Sequence, residues 1–426
     1  MSNAFALSTE AIVLADVAIV LLAGAALVPL ARRLLQPPVI AEITAGIMLG
    51  PSLLGLLPGH LSDHLFPAQA RPVLSGIAQI GLVLFMFLAG WDMDLRRLRG
   101  RGTALTSLAA AAMLTPFCLG AATAMTLHGP FGPHRTGRAA FVLYLATAFS
   151  VTAFPVLARI LKDRQIGDTR AGHLALSCAA VGDVAAWCVL PLPVALAGSG
   201  RAADAVTVLA LTGVFVAAMV LLVRPLLARC VRDAPPSALS AGLTAGVLLA
   251  SVATTAIGIH ALFGAFAFGL AMPRDSRHAV RASVAVPLGH AAKILLPVYF
   301  VVTGLSVDVG SLGATGFVML ALVVSVAVIG KFTGAAVGAR LWGMPWREAG
   351  LFGALMNTRG LTELVILGIG RDVGLIGPQL FTVMALMALV TTAMTGPLLH
   401  RFRPAAASPV GRHVPVPDSG AKADTI

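Results

Sequence analysis

The chain of 426 residues is 58% hydrophobic and only 11% charged, with a mean hydropathy of +0.91. That composition excludes a string of soluble globular domains and marks an integral membrane protein. The net charge of +12 does not point to nucleic acid, because the basic residues lie in short gaps between apolar runs, where they orient membrane helices.

A crossing needs about 20 apolar residues. On that measure thirteen segments are predicted, over 10–31, 38–56, 73–90, 103–127, 138–160, 172–198, 204–228, 237–256, 258–272, 284–305, 313–339, 348–370 and 379–400. The ninth is short, and its separation from the eighth rests on Gly258 and on the need for each helix to fit the bilayer. Residues Met1–Glu10 lack the positive n-region and cleavage site of a signal peptide, so the first run is expected to stay as a helix. Residues 1–403 are expected to form the transmembrane domain. Residues 404–426, with four prolines and little apolar character, read as a disordered cytoplasmic tail. No GxGxxG or other nucleotide-binding pattern follows the membrane domain, so neither a cofactor nor a regulatory nucleotide is expected.

The basic residues test the count. Odd-numbered gaps together with the C-terminal end hold twenty of the thirty Lys and Arg, whereas even-numbered gaps hold five: Arg71, Arg135, Arg138, Arg201 and Arg371. The bias places the N-terminus outside and the C-terminus in the cytoplasm of a multi-pass cell-membrane protein. Cys118, Cys178 and Cys188 lie inside apolar runs and Cys230 near the end of one, without CxxC spacing. They predict packing residues rather than a disulfide framework or a metal site.

A charge at the bilayer centre costs at least about 2.5 kcal/mol on insertion scales, so ionisable residues there are functional candidates. Asp16 is close enough to the start of the first segment to reach outward, and is expected to be structural. Glu42, one turn into "PPVIAEITAGIMLGP", is either functional or paired with a basic residue. Asp183 lies mid-way along the sixth segment in "AAVGDVAAW", with no basic neighbour on its own helix, so its partner must be another helix, a cation or a proton. Lys331, deep in the eleventh segment, needs either a carboxylate such as Asp183 or a route to the membrane surface.

Two segments carry signals of interruption. The fifth reads "ATAFSVTAFPVLARIL", where Pro155 disfavours helix at Phe154 while Thr147, Ser150 and Thr152 bring hydroxyls to the same depth. The twelfth reads "GALMNTRGLTELVILGIG", where Asn357 to Gly360 interrupt an apolar run and Arg359 lies one turn before Glu363 on the same face. The two are seven crossings apart and therefore run in opposite directions, as the halves of an inverted repeat do. Discontinuous helices in corresponding positions of such repeats point to a secondary-transporter site at the midplane. His260, in "GIHALFGAF", reads as a packing histidine, and Phe263, Phe266 and Phe268 as helix packing.

In order, "QPPVIAEITAGIMLGPSLLG", "VLFMFLAGWDMDL", "SVTAFPVLARIL", "AAVGDVAAW", "GIHALFGAFAFGLAMPR", "LLPVYFVVTGLSVDV" and "MNTRGLTELVILGIG" resemble the motifs of monovalent cation/proton antiporters. The closest resemblance is to the branch of plant cation/proton exchangers and bacterial potassium/proton antiporters. It implies an all-α membrane fold of about thirteen helices, with a scaffold, a mobile core, two crossed discontinuous helices and a homodimer. It also implies cation and proton binding at Asp183, ligands from Ser150 and Thr152, and intramembrane basic groups at Lys331 and Arg359. One position departs: the family's Asn or Asp before the key aspartate is Gly182 here, which argues against two protons per cation.

The mechanism implied is exchange of K+ or Na+ for H+ by alternating access. One buried carboxyl holds either a proton or a cation, and competition between them couples the two fluxes. A proton-coupled exporter of an organic ion and a cation channel remain as alternatives. An enzyme is not expected, since no nucleophile–base pair or metal-ligand cluster appears at membrane depth.

Overall fold

The computed structural model describes residues 8–34, 36–58, 61–93, 102–133, 136–167, 169–198, 202–233, 235–273 and 280–402. Among these residues the secondary structure is helical, without strands. The expected tail, 404–426, lies outside them. Among the described residues ten stretches are long and apolar enough to cross a membrane, and helix Ala261–Ala271 is a shorter apolar one.

The predicted runs correspond to helices with bounds shifted by a few residues. Run 138–160 is two helices, Arg138–Ser150 and Phe154–Asp163, and run 348–370 is likewise Trp346–Met356 and Leu361–Asp372. The eighth and ninth runs part at Gly258, whose left-handed φ of 100° ends helix Pro236–Ile257. His260 then caps helix Ala261–Ala271, its Nδ1 accepting from the Leu262 amide at 3.4 Å.

The helices fall into two packed groups. One contains Thr9–Arg33, Pro38–Leu49, Arg71–Asp92, Pro236–Ile257, Ala261–Ala271 and Val286–Leu305; the other contains Gly102–Phe131, both discontinuous helices, Arg170–Val189, Gly313–Leu341 and Pro378–Phe402. These are the scaffold and the core. The stretch Val206–Asp233 is strongly apolar and little of it is buried, so it packs on the outside.

The inverted repeat is visible in how the scaffold closes. Gly46 meets Gly304 where helix Pro38–Leu49 crosses Val286–Leu305, and a Cβ on Gly46 would lie 2.1 Å from the Val301 carbonyl oxygen. At the repeat-related crossing Gly269 meets Gly90, and a Cβ on Gly269 would lie 2.1 Å from the Phe87 carbonyl oxygen. Small residues at both crossings let backbones touch, and in lipid such close packing is a main source of helix association.

Asp16 departs from expectation. It does not reach outward but is 2% exposed, with Oδ2 lacking a hydrogen-bond partner. Depth from a helix end gives distance to the surface, whereas Asp16 lies on the face turned toward the scaffold helices.

Candidate functional site: the crossing of two interrupted helices

The first interruption is made by Pro155, which occupies the first turn of helix Phe154–Asp163, where a missing N–H is tolerated. Val151 and Ala153 are extended, with ψ of 142° and 97°. The second is made by Gly360, whose φ of 145° and ψ of −120° are open to glycine and strained for other residues. A Cβ there would lie 2.9 Å from Val156 Cγ2, so this glycine also lets the second break rest on the first turn beyond the first.

Two hydrogen bonds tie the breaks across each other: the Ala153 amide donates to the Thr358 carbonyl at 3.2 Å, and Thr152 Oγ1 to the Met356 carbonyl at 3.0 Å. The crossing thereby juxtaposes the ends of four half-helices, negative at their C-termini and positive at their N-termini.

Charged side chains are distributed accordingly. At the carbonyl end of Arg138–Ser150, Arg359 donates to Ala148 O at 3.0 Å and Phe149 O at 2.8 Å, while its Nη1 also meets Glu363 Oε1 at 2.7 Å. Both partners of this ion pair are fully buried. Lys331, in a π-helical turn at Ile329–Thr333, is also fully buried and donates to Ser150 O and, at 3.4 Å, to Ala112 O. A π-turn inside a helix is common at functional sites.

Asp183 lies at the opposite, positive ends. Its Oδ2 accepts from the amide of Phe154, the first residue of one half-helix, at 3.3 Å, and from Thr362 Oγ1, in the first turn of the other, at 3.5 Å. The carboxyl is 4% exposed, and among the described residues its Oδ1 has no hydrogen-bond partner. Two further buried oxygens on the second break, Asn357 Oδ1 and Thr358 Oγ1, are also without partners. Hard monovalent cations are held by oxygens of this kind, carboxylate, carbonyl and hydroxyl.

The expected pairing of Lys331 with Asp183 is not found. Among the described residues Lys331 donates to backbone carbonyls, because the helix end with unpaired C=O groups lies nearer its tip than the carboxylate does. Nor does Lys331 reach the membrane surface. Arg359 and Glu363 do pair, as their one-turn spacing predicts. Ser150 donates its hydroxyl to Thr147 O at 2.8 Å and Thr147 its own to Leu143 O at 2.7 Å, so both protons turn back into their helix. Glu42 is not brought to the crossing: it is half-buried in helix Pro38–Leu49 with its Cγ near Gly24, and Arg159 is the opposite charge acting on it.

Sequence reasoning missed Thr362 and the Phe154 amide as partners of Asp183, and Ala112 O as an acceptor for Lys331. Thr362, a hydroxyl in the first turn after a break, was the one with a legible signal. One turn past Asp183, Trp187 packs on Phe263 and Phe266, with ring centroids 5.7 and 5.9 Å apart, so these phenylalanines are packing residues between core and scaffold.

Space around the crossing is unequal. Between the two helix groups, the end that carries Arg32 and Arg159 opens into a cavity of about 380 Å³. At the end that carries His260, Arg371 and Asp372 lies a cavity of about 50 Å³.

An all-helical membrane fold with a scaffold, a core and two crossed interrupted helices defines the class of secondary transporters built on inverted repeats. Residues 17–402 match the family model described as sodium/hydrogen exchanger, transmembrane. The chain belongs to that family. It is 37% identical over 407 residues to the Na(+)/H(+) antiporter NhaS4 of Synechocystis, covering 94% of this chain and 99% of that protein. It is 36% identical to cation/H(+) antiporter 20 of Arabidopsis thaliana, over 97% of this chain and 51% of the other, and 31% identical to K(+)/H(+) antiporter 1 of Saccharomyces cerevisiae, over 87% and 43%. The chain thus spans about half the length of these plant and yeast relatives. The fold matches that of the sodium proton antiporter MjNhaP1 of Methanocaldococcus jannaschii with a TM-score of 0.64 at 14% identity, covering 92% of this chain and 96% of the other.

Proposed function

We propose that the protein exchanges a monovalent cation, K+ or Na+, for a proton by alternating access, the two ligands competing for Asp183. The observation that carries this reading is the Asp183 carboxyl, which is buried at the crossing with one oxygen held by Phe154 N–H and Thr362 while the other has no partner. A carboxylate left so would be expensive to keep charged, so it takes a proton or a cation. It cannot hold both, and that exclusion couples the fluxes. Thr152, Thr358 and Asn357 supply further oxygens for the cation. Ser150 and Thr147 act by shaping the helix end that Lys331 and Arg359 neutralise. The relatives' names, Na(+)/H(+), K(+)/H(+) and cation/H(+) antiporter, support the same substrates.

Alternating access is supported by the unequal cavities, about 380 Å³ at one end and about 50 Å³ at the other. Thirteen crossings, an external N-terminus, a cytoplasmic C-terminus and a homodimer through the scaffold complete the reading. The larger cavity then faces the cytoplasm. With one exchanging carboxyl and Lys331 protonated throughout, a cation leaves for each proton and no net charge moves. The membrane potential, about 2.3 kcal/mol per charge per 100 mV, then has no purchase on the cycle.

The test is proton flux in proteoliposomes carrying an imposed pH gradient, with K+ or Na+ added to the wild type and to Asp183→Asn. Cation-triggered flux in the wild type alone, with the variant still folded, is expected. An exchanging Asp183→Asn variant overturns the assignment. Independent dissipation of both gradients replaces exchange with a channel, and a response only to an organic cation replaces the substrate.

A further inference from the structure

The larger cavity has the wrong sign for a simple cation vestibule. Its wall brings together Arg32 from the end of helix Thr9–Arg33, Gln36 and Pro38 at the start of helix Pro38–Leu49, and Arg159, Asp163 and Arg164 from the far end of half-helix Phe154–Asp163. Three guanidiniums, which stay protonated at any physiological pH, face one carboxylate. Asp163 lies 3.7 Å from Arg159, on which Glu42 also acts. That leaves two unanswered charges: among the described residues neither the guanidinium of Arg32 nor that of the half-buried Arg164 has an ion-pair or hydrogen-bond partner. Helix Pro38–Leu49 adds its positive end, without a side-chain cap. A site with an excess of one sign of charge concentrates the opposite sign, so this one gathers anions.

We infer that this cavity binds a phosphate-bearing anion, either free inorganic phosphate or the headgroup of an anionic phospholipid. A guanidinium fork matches phosphate oxygens in pairs, and a half-buried arginine without a partner is suited to such a contact. The volume of about 380 Å³ falls within the range of small-molecule sites and far exceeds what a bare monovalent ion fills. Moreover, the arginines come from both bodies, Arg32 from the scaffold and Arg159 and Arg164 from the core. A phosphate held between them is bound only while the two bodies stand as they do here, so it stabilises this arrangement against the other. The consequence for transport, slower exchange when the site is filled, rests on the exchange reading above; the binding itself does not.

The experiment therefore reads binding first. The melting temperature of the detergent-purified protein is followed against inorganic phosphate, against short-chain phosphatidylglycerol, and against sodium chloride and phosphatidylcholine as controls of ionic strength and lipid. A saturable rise in the wild type, lost in Arg32→Gln/Arg164→Gln, is expected. A rise with phosphatidylglycerol alone assigns the headgroup, and a rise with phosphate assigns the free anion. No rise with either, or an equal rise in the double variant, overturns the site. Arg164→Lys, which keeps the charge, separates a lost contact from a lost fold: it retains part of the rise. These readouts stand even if cation-triggered proton flux is absent, so failure of one reading is told apart from failure of the other.

Discussion

The buried pair Arg359–Glu363 offers a test of how the crossing is held. Arg359→Gln breaks the 2.7 Å ion pair and deprives Ala148 O and Phe149 O of their donors. Removing one partner of a buried pair costs about 3–5 kcal/mol, and each orphaned carbonyl about 1–3 kcal/mol more, partly the same energy counted twice. A loss of about 4–6 kcal/mol is expected. Glu363→Gln is milder, because the amide oxygen still accepts from the guanidinium and Arg359 keeps both carbonyls, at a helix end worth about half a negative charge. About 2–3 kcal/mol is expected there, an ion pair reduced to a hydrogen bond from the guanidinium to a neutral amide. In Arg359→Gln/Glu363→Gln no uncompensated carboxylate remains, so the double variant should be more stable than the two single losses predict, by about 1–3 kcal/mol of coupling. The assay is chemical denaturation in mild detergent, followed by tryptophan fluorescence, with the four proteins compared side by side. If Glu363→Gln is as damaging as Arg359→Gln, or the losses simply add, then Arg359 is not the strap that closes the end of Arg138–Ser150.

Other perturbations address the remaining parts. Gly360→Ala forces alanine into a glycine-only conformation at a cost of about 1–3 kcal/mol and drives its Cβ against Val156; exchange falls, and adding Val156→Ala restores only the steric share, as measured by melting temperature and flux together. Lys331→Ala leaves Ser150 O and Ala112 O without their donor, so it lowers stability and changes the pH profile of exchange; a well-folded variant with no exchange at all would contradict this. Gly182→Asp has room for its Cβ, since the nearest atom to one at that position is Met113 Sδ at 3.7 Å; a second buried carboxyl beside Asp183 makes exchange respond to an imposed membrane potential, and an unchanged response counts against the one-carboxyl account of electroneutrality.

What the sequence shows best here is where the membrane rule is broken. A proline at 155, the polar run 357–360 and an aspartate at 183 each cost energy in lipid, so each stood out against apolar neighbours, and the structure places all three at one crossing. Partner choice did not stand out. Lys331 lies 181 residues from the carbonyl of Ser150 and 219 from that of Ala112, and backbone acceptors have no signature in a sequence. A lysine is therefore expected to seek a carboxylate, the oppositely charged acceptor that a sequence displays, or the membrane surface. The interrupted helix supplied a cheaper one, a set of carbonyls already lacking donors. The same logic accounts for Asp183, which settled against amide and hydroxyl donors at the positive ends of two half-helices. Once two helices are broken and crossed, the free ends of their backbones become the electrostatics of the site, and the cations and carboxylates of the core sort themselves onto ends of opposite sign. Among the described residues Asp183 has no direct ion-pair partner, since Lys331 is bound to carbonyls and acts on it only through space, and the charge it lacks is the one a transported ion or proton would bring.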